Sequence, residues 1–359
     1  MRSEKTGRSK AILEAIYALP RQDAVLMEVC GTHTMAIAKA GIKSLLPEGV
    51  RLVSGPGCPV CVTPAEVIDA ALALSMDKKI LIATYGDMIR VPGSAPGDSL
   101  QRRRGLGAEI KIVYSPVDAV ELARERPDRE VVFLGVGFET TAPGTAAAVL
   151  TAKEAGVNNF SLWSMLKTVE PALRALIGTE GFHVQGFLCP GHVASIIGER
   201  GFAFLPRDFG IPAVISGFEG EDILLAVYLL LRQMAQARPR LENEYRRAVS
   251  KEGNTLAMNM LARCFRPRAD IWRGLGRIEE SGLALREEFS DFDAERKFAV
   301  KIPLPTKTAC RCGEVICGRL RPGDCPLFGG RCTPEEPVGP CMVSSEGACA
   351  AAYQYQAVD

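Results

Sequence analysis

Seven of the twelve cysteines lie close together near the end of the chain, and thiolates at this density can hold a metal. They are Cys310, Cys312, Cys317, Cys325, Cys332, Cys341 and Cys349. Four of them follow the spacing Cys310-x14-Cys325-x6-Cys332-x16-Cys349. Four thiolates bind either a tetrahedral zinc ion or a four-iron cluster. The segment contains neither the CxxC pairs of a zinc ribbon nor the CxxCxxC run of a ferredoxin, so the spacing leaves both metals open.

Three cysteines of this group remain as spares. Cys312, Cys317 and Cys341 could each replace one of the four chosen ligands. Free thiols in an irregular tail are a further alternative. The segment is rich in Pro, Gly and Cys and has little periodicity from residue 302 onward. Because it has few means of burying apolar area, we expect metal ligation to order it.

Cys58-Pro-Val-Cys61 is a CxxC pair between a predicted strand and a predicted helix. Thr63 as N-cap, Pro64 as the first helical residue and Glu66 in the first turn mark the expected start of that helix. The positive end of a helix dipole favours a thiolate, so we expect a redox-active dithiol here. A pair of buried structural cysteines is the alternative.

Cys30 ends a predicted strand and precedes Gly-Thr-His33. Thr32 is expected to cap the next helix, which places His33 in the first turn. A cysteine in this position can act as a nucleophile or as a soft metal ligand, and His33 could orient or deprotonate the thiol or bind the metal itself. A core cysteine with a capping histidine is equally compatible with the sequence. Cys189-Pro-Gly-His192 carries the same ambiguity.

An alternation of strands and helices between about residues 24 and 236 must position these cysteines. Eight apolar runs predict strands, at residues 24–30, 51–55, 79–85, 109–115, 130–137, 159–165, 184–189 and 212–217. Nearly continuous apolar runs are typical of parallel strands that are covered on both faces, and helical segments fit between them. The predicted fold class is therefore α/β, with parallel sheets covered by helices. Ligands of such open sheets bind at the carboxyl ends of the strands.

Two similar lobes are expected, because eight strands are many for one small sheet. Repeated corners support a duplication: the Cys-x-x-His pattern occurs at 30–33 and 189–192, and Gly-Phe-Glu occurs at 137–139 and 217–219. The predicted domains are residues 1–50 with 138–236, residues 51–137, and residues 237–359. The last is expected to be a mostly helical or irregular C-terminal region that carries the metal centre.

Composition excludes several classes of function. With 47% hydrophobic residues the chain can bury ordinary cores, and a net charge of +1 with dispersed basic residues does not predict nucleic-acid binding. The first residues are charged and amphipathic, unlike a signal peptide, and no apolar run reaches the length of a membrane span. We therefore expect a cytoplasmic protein, where clustered cysteines more often bind metal or do redox chemistry than form structural disulfides.

The motifs resemble the HypD family of [NiFe]-hydrogenase maturation factors. The segments that carry the resemblance are MEVCGTHTMAIAKAGIKSLLP (27–47), SGPGCPVCVTP (54–64), ATYGDMIRVPGS (83–94), GVGFETTAPGTA (135–146), LCPGHVASIIG (188–198) and the terminal cysteine array. The likeness runs through almost the whole chain. The x14/x6/x16 spacing agrees with the family's cluster-binding pattern, which does not need the three spare cysteines.

The resemblance implies a redox-active factor that helps assemble the Fe(CN)2CO unit of the hydrogenase within a complex. The implied partners are the chaperone HypC, HypE, which would supply cyanide from its HypF-supplied modification, and, indirectly, the hydrogenase large-subunit precursor. Cys30 would hold iron jointly with a cysteine of HypC, with His33 in the same motif. Cys58 and Cys61 would be the redox pair. The ligands of a [4Fe–4S] cluster, which could supply electrons to that pair, would be Cys310, Cys325, Cys332 and Cys349.

Two other functions are compatible with parts of the sequence. A thiol–disulfide oxidoreductase of the ferredoxin–thioredoxin reductase type would explain the cysteine array and the CxxC pair, but it leaves Cys30-Gly-Thr-His33 without a role. A zinc-stabilised binding module would explain the array alone. Iron with acid-labile sulfide, as opposed to zinc, would separate the last possibility from the others.

Overall fold

Two parallel β-sheets form the centre of the computed structural model, which describes residues 2–355. The strands are β1 (Ala24–Glu28), β2 (Val50–Ser54), β3 (Ile80–Thr84), β4 (Glu109–Ile112), β5 (Glu130–Gly137), β6 (Phe160–Leu166), β7 (Gly186–Pro190), β8 (Ala213–Ser216), β9 (Leu241–Asn243), β10 (Phe265–Trp272) and β11 (Gly276–Leu285). All eight strands predicted from apolar runs are present, as β1 to β8. The predicted α/β class with parallel sheets is confirmed.

The two sheets have related strand orders. The larger sheet has the order β2-β1-β7-β8-β9, and the smaller has the order β4-β3-β5-β6, with every pairing parallel. If the strands of each sheet are numbered in chain order, both sheets begin with the order 2-1-3-4. This is the doubly wound arrangement, in which the chain reverses its direction of travel beside the first strand.

Helices cover both sheets. They are α1 (Arg2–Tyr17), α2 (Gly31–Lys39), α3 (Pro59–Val62), α4 (Ala65–Leu74), α5 (Leu100–Gly105), α6 (Pro116–Glu125), α7 (Ala142–Glu154), α8 (Val169–Ile177), α9 (Gly191–Ile197), α10 (Phe204–Phe209), α11 (Gly220–Ala235), α12 (Thr255–Cys264), α13 (Ala294–Lys297), α14 (Cys312–Val315), α15 (Pro340–Val343) and α16 (Ala348–Tyr355). Short 3-10 helices lie at Ile42–Leu45, Gly86–Arg90, Glu199–Phe202, Glu287–Phe292 and Pro322–Asp324. Between residues 2 and 355, no helix is both long and apolar enough to span a membrane.

One apolar core joins the two sheets to the cysteine-rich segment. It contains Met27 of β1, Trp163 of β6, Cys61 of α3 and Cys312 of α14, all nearly inaccessible to solvent. Strands that face such a core on one side and helices on the other must be apolar on both faces, which explains the continuous runs of buried residues in β1, β3 and β6. The shared core fixes the cysteine-rich segment against both sheets.

Two strands belong to a different sheet from the one that the predicted domains imply. Residues 50–54 form β2 and pair with β1, although residues 51–137 were expected to form the second lobe. Residues 160–166 form β6 and pair with β5, although they were assigned to the first lobe. Apolar periodicity identifies a buried strand without identifying its neighbours, because any parallel partner satisfies the same hydrogen bonds. The domain boundaries themselves stay predictions.

The mostly helical character expected after residue 237 is wrong in part. α12 is present, but β10 and β11 form an antiparallel hairpin with an irregularity between Arg268 and Asp270. After β11 the chain forms the 3-10 helix Glu287–Phe292 and then the short helix α13. The cysteine-rich segment after residue 302 consists of short helices and irregular backbone, as predicted.

Candidate functional site

A cleft of about 390 Å³ lies where the two sheets meet, and it is called the cleft below. Its walls include Cys58, Tyr85, Asp87, Val136, Ser344 and Glu346. Tyr85 directly follows β3 and Val136 belongs to β5, so the cleft lies beside the point where the smaller sheet reverses its strand order. Ligands of doubly wound sheets bind at such points. The cleft therefore lies at the carboxyl ends of the strands, where a ligand is expected to bind.

Cys30 lies at the amino end of α2, directly after the first strand of the larger sheet. It is the N-cap of that helix, so the expected cap at Thr32 is wrong by two residues. Burial and the nearby Glu346 carboxylate raise the pKa of the Cys30 thiol to about 12, and the Thr32 hydroxyl and the backbone N–H groups of His33 and Thr32 lower it in part. The thiol is therefore protonated at neutral pH, and a bound metal cation would have to replace the proton.

The buried carboxyl of Glu28 holds the backbone around Cys30. It accepts the Cys30 N–H at 3.0 Å and the Thr34 hydroxyl at 2.5 Å, and it is 2% exposed. Burial raises its pKa to about 7, against the opposing effect of the Thr34 hydrogen bond. The sequence reasoning missed this residue. The signal was available, since a Glu inside a strand that is otherwise apolar needs internal partners.

The loop that carries the CxxC pair packs directly on Cys30. A side chain at Gly57 would overlap the backbone of Val29 and Cys30, so only glycine allows this approach. The Gly57 carbonyl also accepts the Gly31 N–H at 3.1 Å. The structure therefore brings the candidate metal ligand and the candidate redox pair, which are separated in sequence, to the same place.

Cys58 and Cys61 form a disulfide, with their Cα atoms 5.2 Å apart. Cys58 is the N-cap of the short helix α3, and its Sγ accepts the Cys61 N–H at 3.2 Å. The expected helix start at Thr63 is wrong, because Thr63 ends α3 and the next helix begins at Ala65. The correction places Cys58 itself at a helix N-terminus, which favours its thiolate when the pair is reduced.

Glu346 connects the cysteine-rich segment to this site. Its carboxylate accepts the Thr32 hydroxyl at 2.6 Å, and a side chain at Gly31 would overlap its Cβ. Two residues earlier, Ser344 donates to the Asp87 carboxylate at 2.9 Å across the cleft. Sequence reasoning did not single out either carboxylate, since Glu346 is 314 positions from its partner Thr32.

The His33 ring faces the second Cys-x-x-His corner. Its Nε2 lies 2.9 Å from the Gly217 carbonyl, and its ring stacks on Phe218. Phe218 also stacks on His192, so the two histidines of the repeated motif share one aromatic partner. Burial lowers the pKa of His33 to about 4, so the ring is neutral at physiological pH. A role of His33 toward the Cys30 thiol stays a prediction.

Glu139 caps a helix. Its Oε1 accepts the N–H of Val169, the first residue of α8, at 2.8 Å. Among residues 2–355 its Oε2 has no hydrogen-bond partner, and burial raises its pKa to about 7. The neighbouring Phe138 stacks on Trp272 of the hairpin. One oxygen of the Glu139 carboxyl thus satisfies the amino end of α8, and its neighbour Phe138 packs in the core.

Six cysteines of the terminal group surround one small cavity. They are the four predicted ligands Cys310, Cys325, Cys332 and Cys349, with two of the spares, Cys312 and Cys341. The third spare, Cys317, makes a separate contact between its Sγ and the Gly274 carbonyl at 3.7 Å. In the described part of the chain, no three His, Cys, Asp or Glu side chains converge on a point that would hold a single metal ion.

The cysteine cavity is in contact with the CxxC helix. The Arg273 guanidinium donates to the Thr63 carbonyl at 2.9 and 3.1 Å, and the Arg273 N–H donates to the Val62 carbonyl at 2.8 Å. The hydrogen bond with Cys312 and burial raise the pKa of the Cys310 thiol, and the Arg273 charge opposes them. α15 packs on α3 and α16 on α2, so the cysteine-rich segment lies against both front motifs.

Comparison with known proteins agrees with the motifs. A sequence model of the HypD family, described as "Hydrogenase formation hypA family", matches residues 8–356. Hydrogenase maturation factor HypD of Azotobacter vinelandii is 44% identical over 361 residues, which cover 99% of this chain and 95% of that relative. Its counterpart in Escherichia coli K12 is 45% identical over 336 residues, which cover 92% of this chain and 89% of that relative. The chain therefore belongs to the HypD family of hydrogenase maturation factors.

Proposed function

We propose that this chain takes part in building the Fe(CN)2CO unit and that Cys30 holds the iron, as cargo, together with a cysteine of HypC. The observation that carries this proposal is the packing of Gly57 on the Cys30 backbone, because it joins a soft metal ligand to a redox-active pair. Iron that carries cyanide and CO is low-spin and accepts a soft thiolate. Membership of a hydrogenase maturation family favours this function, and the comparisons give no support to a free-standing thiol–disulfide oxidoreductase.

The surroundings of Cys30 favour binding of a cation. The thiol is 8% exposed and must lose its proton to bind iron. The amino end of α2 and the Thr32 hydroxyl favour the thiolate, whereas burial opposes it. An iron cation would offset the burial and would also be attracted by the Glu346 carboxylate, which is anchored to Thr32. Cys30 is thus suited to hold a metal more than to attack as a free thiolate.

Oxidation of the Cys58–Cys61 dithiol can supply the electrons that the release of cyanide from HypE consumes. Cleavage of a thiocyanate, R–S–CN, to R–SH and CN⁻ consumes two electrons and one proton. Oxidation of two thiols to the Cys58–Cys61 disulfide releases two electrons and two protons. The pair opens toward the cleft through Cys58, where the thiocyanate of HypE would reach it. The next turnover requires reduction of the disulfide.

The set of thiols around the cysteine cavity is suited to the ligation of a resident [4Fe–4S] cluster. A four-iron cluster takes one thiolate per iron, so its ligands surround a cavity instead of converging on one atom. Cys310, Cys325, Cys332 and Cys349 line such a cavity and would hold the cluster. When bound, it would supply electrons. Arg273 donates to the Thr63 carbonyl at the end of α3 and its charge acts on the Cys310 thiol, so it would favour a negatively charged centre held by these cysteines.

Infrared spectroscopy of the protein purified anaerobically with HypC tests the role of Cys30. The wild-type complex should show cyanide and CO stretching bands. Cys30→Ala should remove both bands and keep the brown iron–sulfur absorbance. Cys189→Ala is the matched control, since Cys189 is a buried cysteine of the repeated corner and lies in β7. Bands that persist in Cys30→Ala would show that another residue holds the iron.

A second experiment tests the redox pair separately. A Cys58→Ala/Cys61→Ala variant should bind HypC and retain the iron–sulfur absorbance, but it should accumulate the cyanide bands far more slowly than the wild type. Accumulation at the wild-type rate would refute the role of the pair. Reduction of a generic disulfide substrate without HypC or HypE would instead favour a free-standing oxidoreductase.

A further inference from the structure

We propose that a cavity of about 460 Å³ beside the edge strand of the larger sheet binds a small molecule that carries phosphate or carboxylate groups. This cavity, called the basic cavity below, lies between the edge strand β2, the 3-10 helix Ile42–Leu45 and the segment 315–324 that follows α14. Its size is that of an ordinary small-molecule site. The inference goes beyond the proposed function and does not depend on it.

The charges in its walls favour an anion. Four cationic side chains line the basic cavity, against two carboxylates. The cations are Lys43, Arg51, Arg319 and Arg321, and the carboxylates are Glu28 and Asp324. Of these, Arg321 already pairs with Asp324 through two hydrogen bonds of 2.8 and 2.9 Å. The cationic side chains of the walls thus outnumber the carboxylates by two to one.

Two arginines are available to a ligand. Arg51 projects from β2 and Arg319 follows α14, and both are exposed. Within residues 2–355, neither forms an ion pair or a side-chain hydrogen bond, in contrast to most of the other arginines of the chain. A guanidinium offers paired donors that match carboxylate and phosphate oxygens. Two unpaired guanidinium groups on opposite walls of one cavity are therefore suited to a molecule with more than one anionic oxygen.

The backbone is specialised to bring Arg319 to this position. Gly318 has a positive φ of 71°, and a side chain there would lie 2.8 Å from the Met27 Cε. Glycine thus lets the cysteine-rich segment lie directly on β1 and β2 before the chain turns outward at Arg319. The cavity exists because two distant segments of the chain meet in this way.

The floor of the basic cavity is connected to the candidate iron site. Glu28 lines the cavity, and its two carboxylate oxygens accept the Cys30 N–H and the Thr34 hydroxyl. These protein donors occupy the carboxylate, which reduces its repulsion of an anionic ligand. One residue therefore separates a ligand in the basic cavity from the Cys30 backbone. Occupancy of the cavity would stabilise the arrangement that positions Cys30.

Isothermal titration calorimetry of the full-length protein, under anaerobic conditions, tests the inference. The probes are pyrophosphate and succinate, which separate phosphoryl from carboxylate recognition. Wild-type protein should bind at least one of them at a single saturable site. Arg51→Gln/Arg319→Gln should weaken that binding by about tenfold or more, because both guanidinium groups lose their charge-assisted hydrogen bonds to the ligand. Arg104→Gln, which removes an exposed arginine of α5 outside the cavity, should change the affinity less than about twofold.

Each outcome decides the question. If neither probe binds, or if the double variant binds as tightly as the wild type, the inference is wrong. Pyrophosphate that bound by chelating iron on the protein would bind the double variant as tightly as the wild type, so the double variant also detects this alternative. Since Arg51 and Arg319 are exposed, the double variant should unfold at the same urea concentration as the wild type, which excludes misfolding as the cause of weak binding. Loss of pyrophosphate binding does not require loss of the infrared bands, so this test is separable from that of the proposed function.

Discussion

The position of Cys30 depends on a backbone contact more than on its side-chain neighbours. Gly57 touches the backbone of Val29 and Cys30, and the Gly57 carbonyl accepts the next N–H of the chain. A contact between two backbones leaves no flexible side chain to move aside. The distance between Cys30 and the loop that carries the CxxC pair is therefore set by the absence of a Cβ atom at Gly57.

Gly57→Ala should lower the free energy of unfolding by about 1–3 kcal/mol or more, because the added methyl group must displace backbone. Urea unfolding under anaerobic conditions measures the change. Gly144→Ala is the control, since its Cβ would lie 3.8 Å from Pro116 in ordinary contact and the site is helical. That variant should stay within about 1 kcal/mol of the wild type. Equal effects at the two positions would contradict the close approach.

Glu139 should make stability depend on pH. Its pKa is raised to about 7 in the folded protein from a value near 4.5, so the folded state keeps a proton that the unfolded state loses. The contribution of Glu139 to the free energy of unfolding therefore falls between about pH 4.5 and 7, on the order of 1.4 kcal/mol per pKa unit. The free energy of unfolding of Glu139→Gln, measured relative to that of the wild type, should be higher at pH 8 than at pH 5.

Urea unfolding at both pH values measures this difference. Glu154→Gln, at the exposed end of α7, is the control and should differ from the wild type equally at pH 5 and pH 8. The Glu139 effect would be refuted by a difference between Glu139→Gln and wild type that does not change with pH.

At the residue scale, the sequence predicted the cysteines and missed the carboxylates. Cysteine spacing is local information, and the four expected ligands do line one cavity. Glu28 and Glu346 acquire their roles from burial and from partners brought by the fold, such as Thr32 at 314 positions from Glu346. Nothing in the immediate sequence around a Glu distinguishes a solvated carboxylate from one that meets a distant helix.

At the element scale, the hairpin is the part that periodicity did not predict. Most residues of β10 are only partly buried, and its charged side chains have distant partners. Arg268 pairs with Glu295, and Asp270 forms an ion pair with Lys167 at 2.9 Å. Because pairing satisfies these charges in three dimensions, the strand lacks the alternation of apolar and polar residues that identifies a half-buried strand. Strands β1 to β8 are apolar runs, and the sequence predicted all eight of them.

The turn of this hairpin should influence the redox centre. In protein loaded with the cluster, Arg273→Gln removes a positive charge near Cys310 and one hydrogen-bonded link to Thr63. A cluster gains negative charge on reduction, so its reduction potential should become more negative. A redox titration followed by visible absorbance measures the shift. Arg277→Gln, at the exposed start of β11 where Arg277 pairs with Glu279, should leave the potential unchanged, and an equal shift there would contradict a local effect of Arg273.

At the scale of the whole molecule, the cysteine-rich segment should depend on its metal. Residues after 302 form short helices and contain several Lys and Arg residues that trypsin can cleave. Removal of iron should accelerate cleavage between residues 302 and 347, while the sheets resist, because ligation supplies order that apolar burial cannot. Mass spectrometry of the fragments measures this.

Two substitutions sharpen that experiment. Trypsin should cleave Cys325→Ala as it cleaves the iron-free wild-type protein, and this variant should lack the iron–sulfur absorbance. Cys317→Ala should keep both the absorbance and the resistance, since the Cys317 Sγ contacts the Gly274 carbonyl outside the cysteine cavity. Analysis should find iron with acid-labile sulfide, and zinc without iron would refute the cluster.

The interleaving of the two sheets has a consequence for synthesis on the ribosome. β1 and β2 emerge first, but their sheet also needs β7 to β9, which follow after residue 186, whereas β3 to β6 are complete at residue 166. Domains fold as units while the chain emerges, so the smaller sheet should close first. The Val29 N–H reaches its acceptor in Leu188 and His33 reaches Gly217 only later in translation. A nascent chain thus completes the surroundings of the Cys30 thiol only near the end of translation, and under the proposed function iron would be loaded only on chains that are almost fully made.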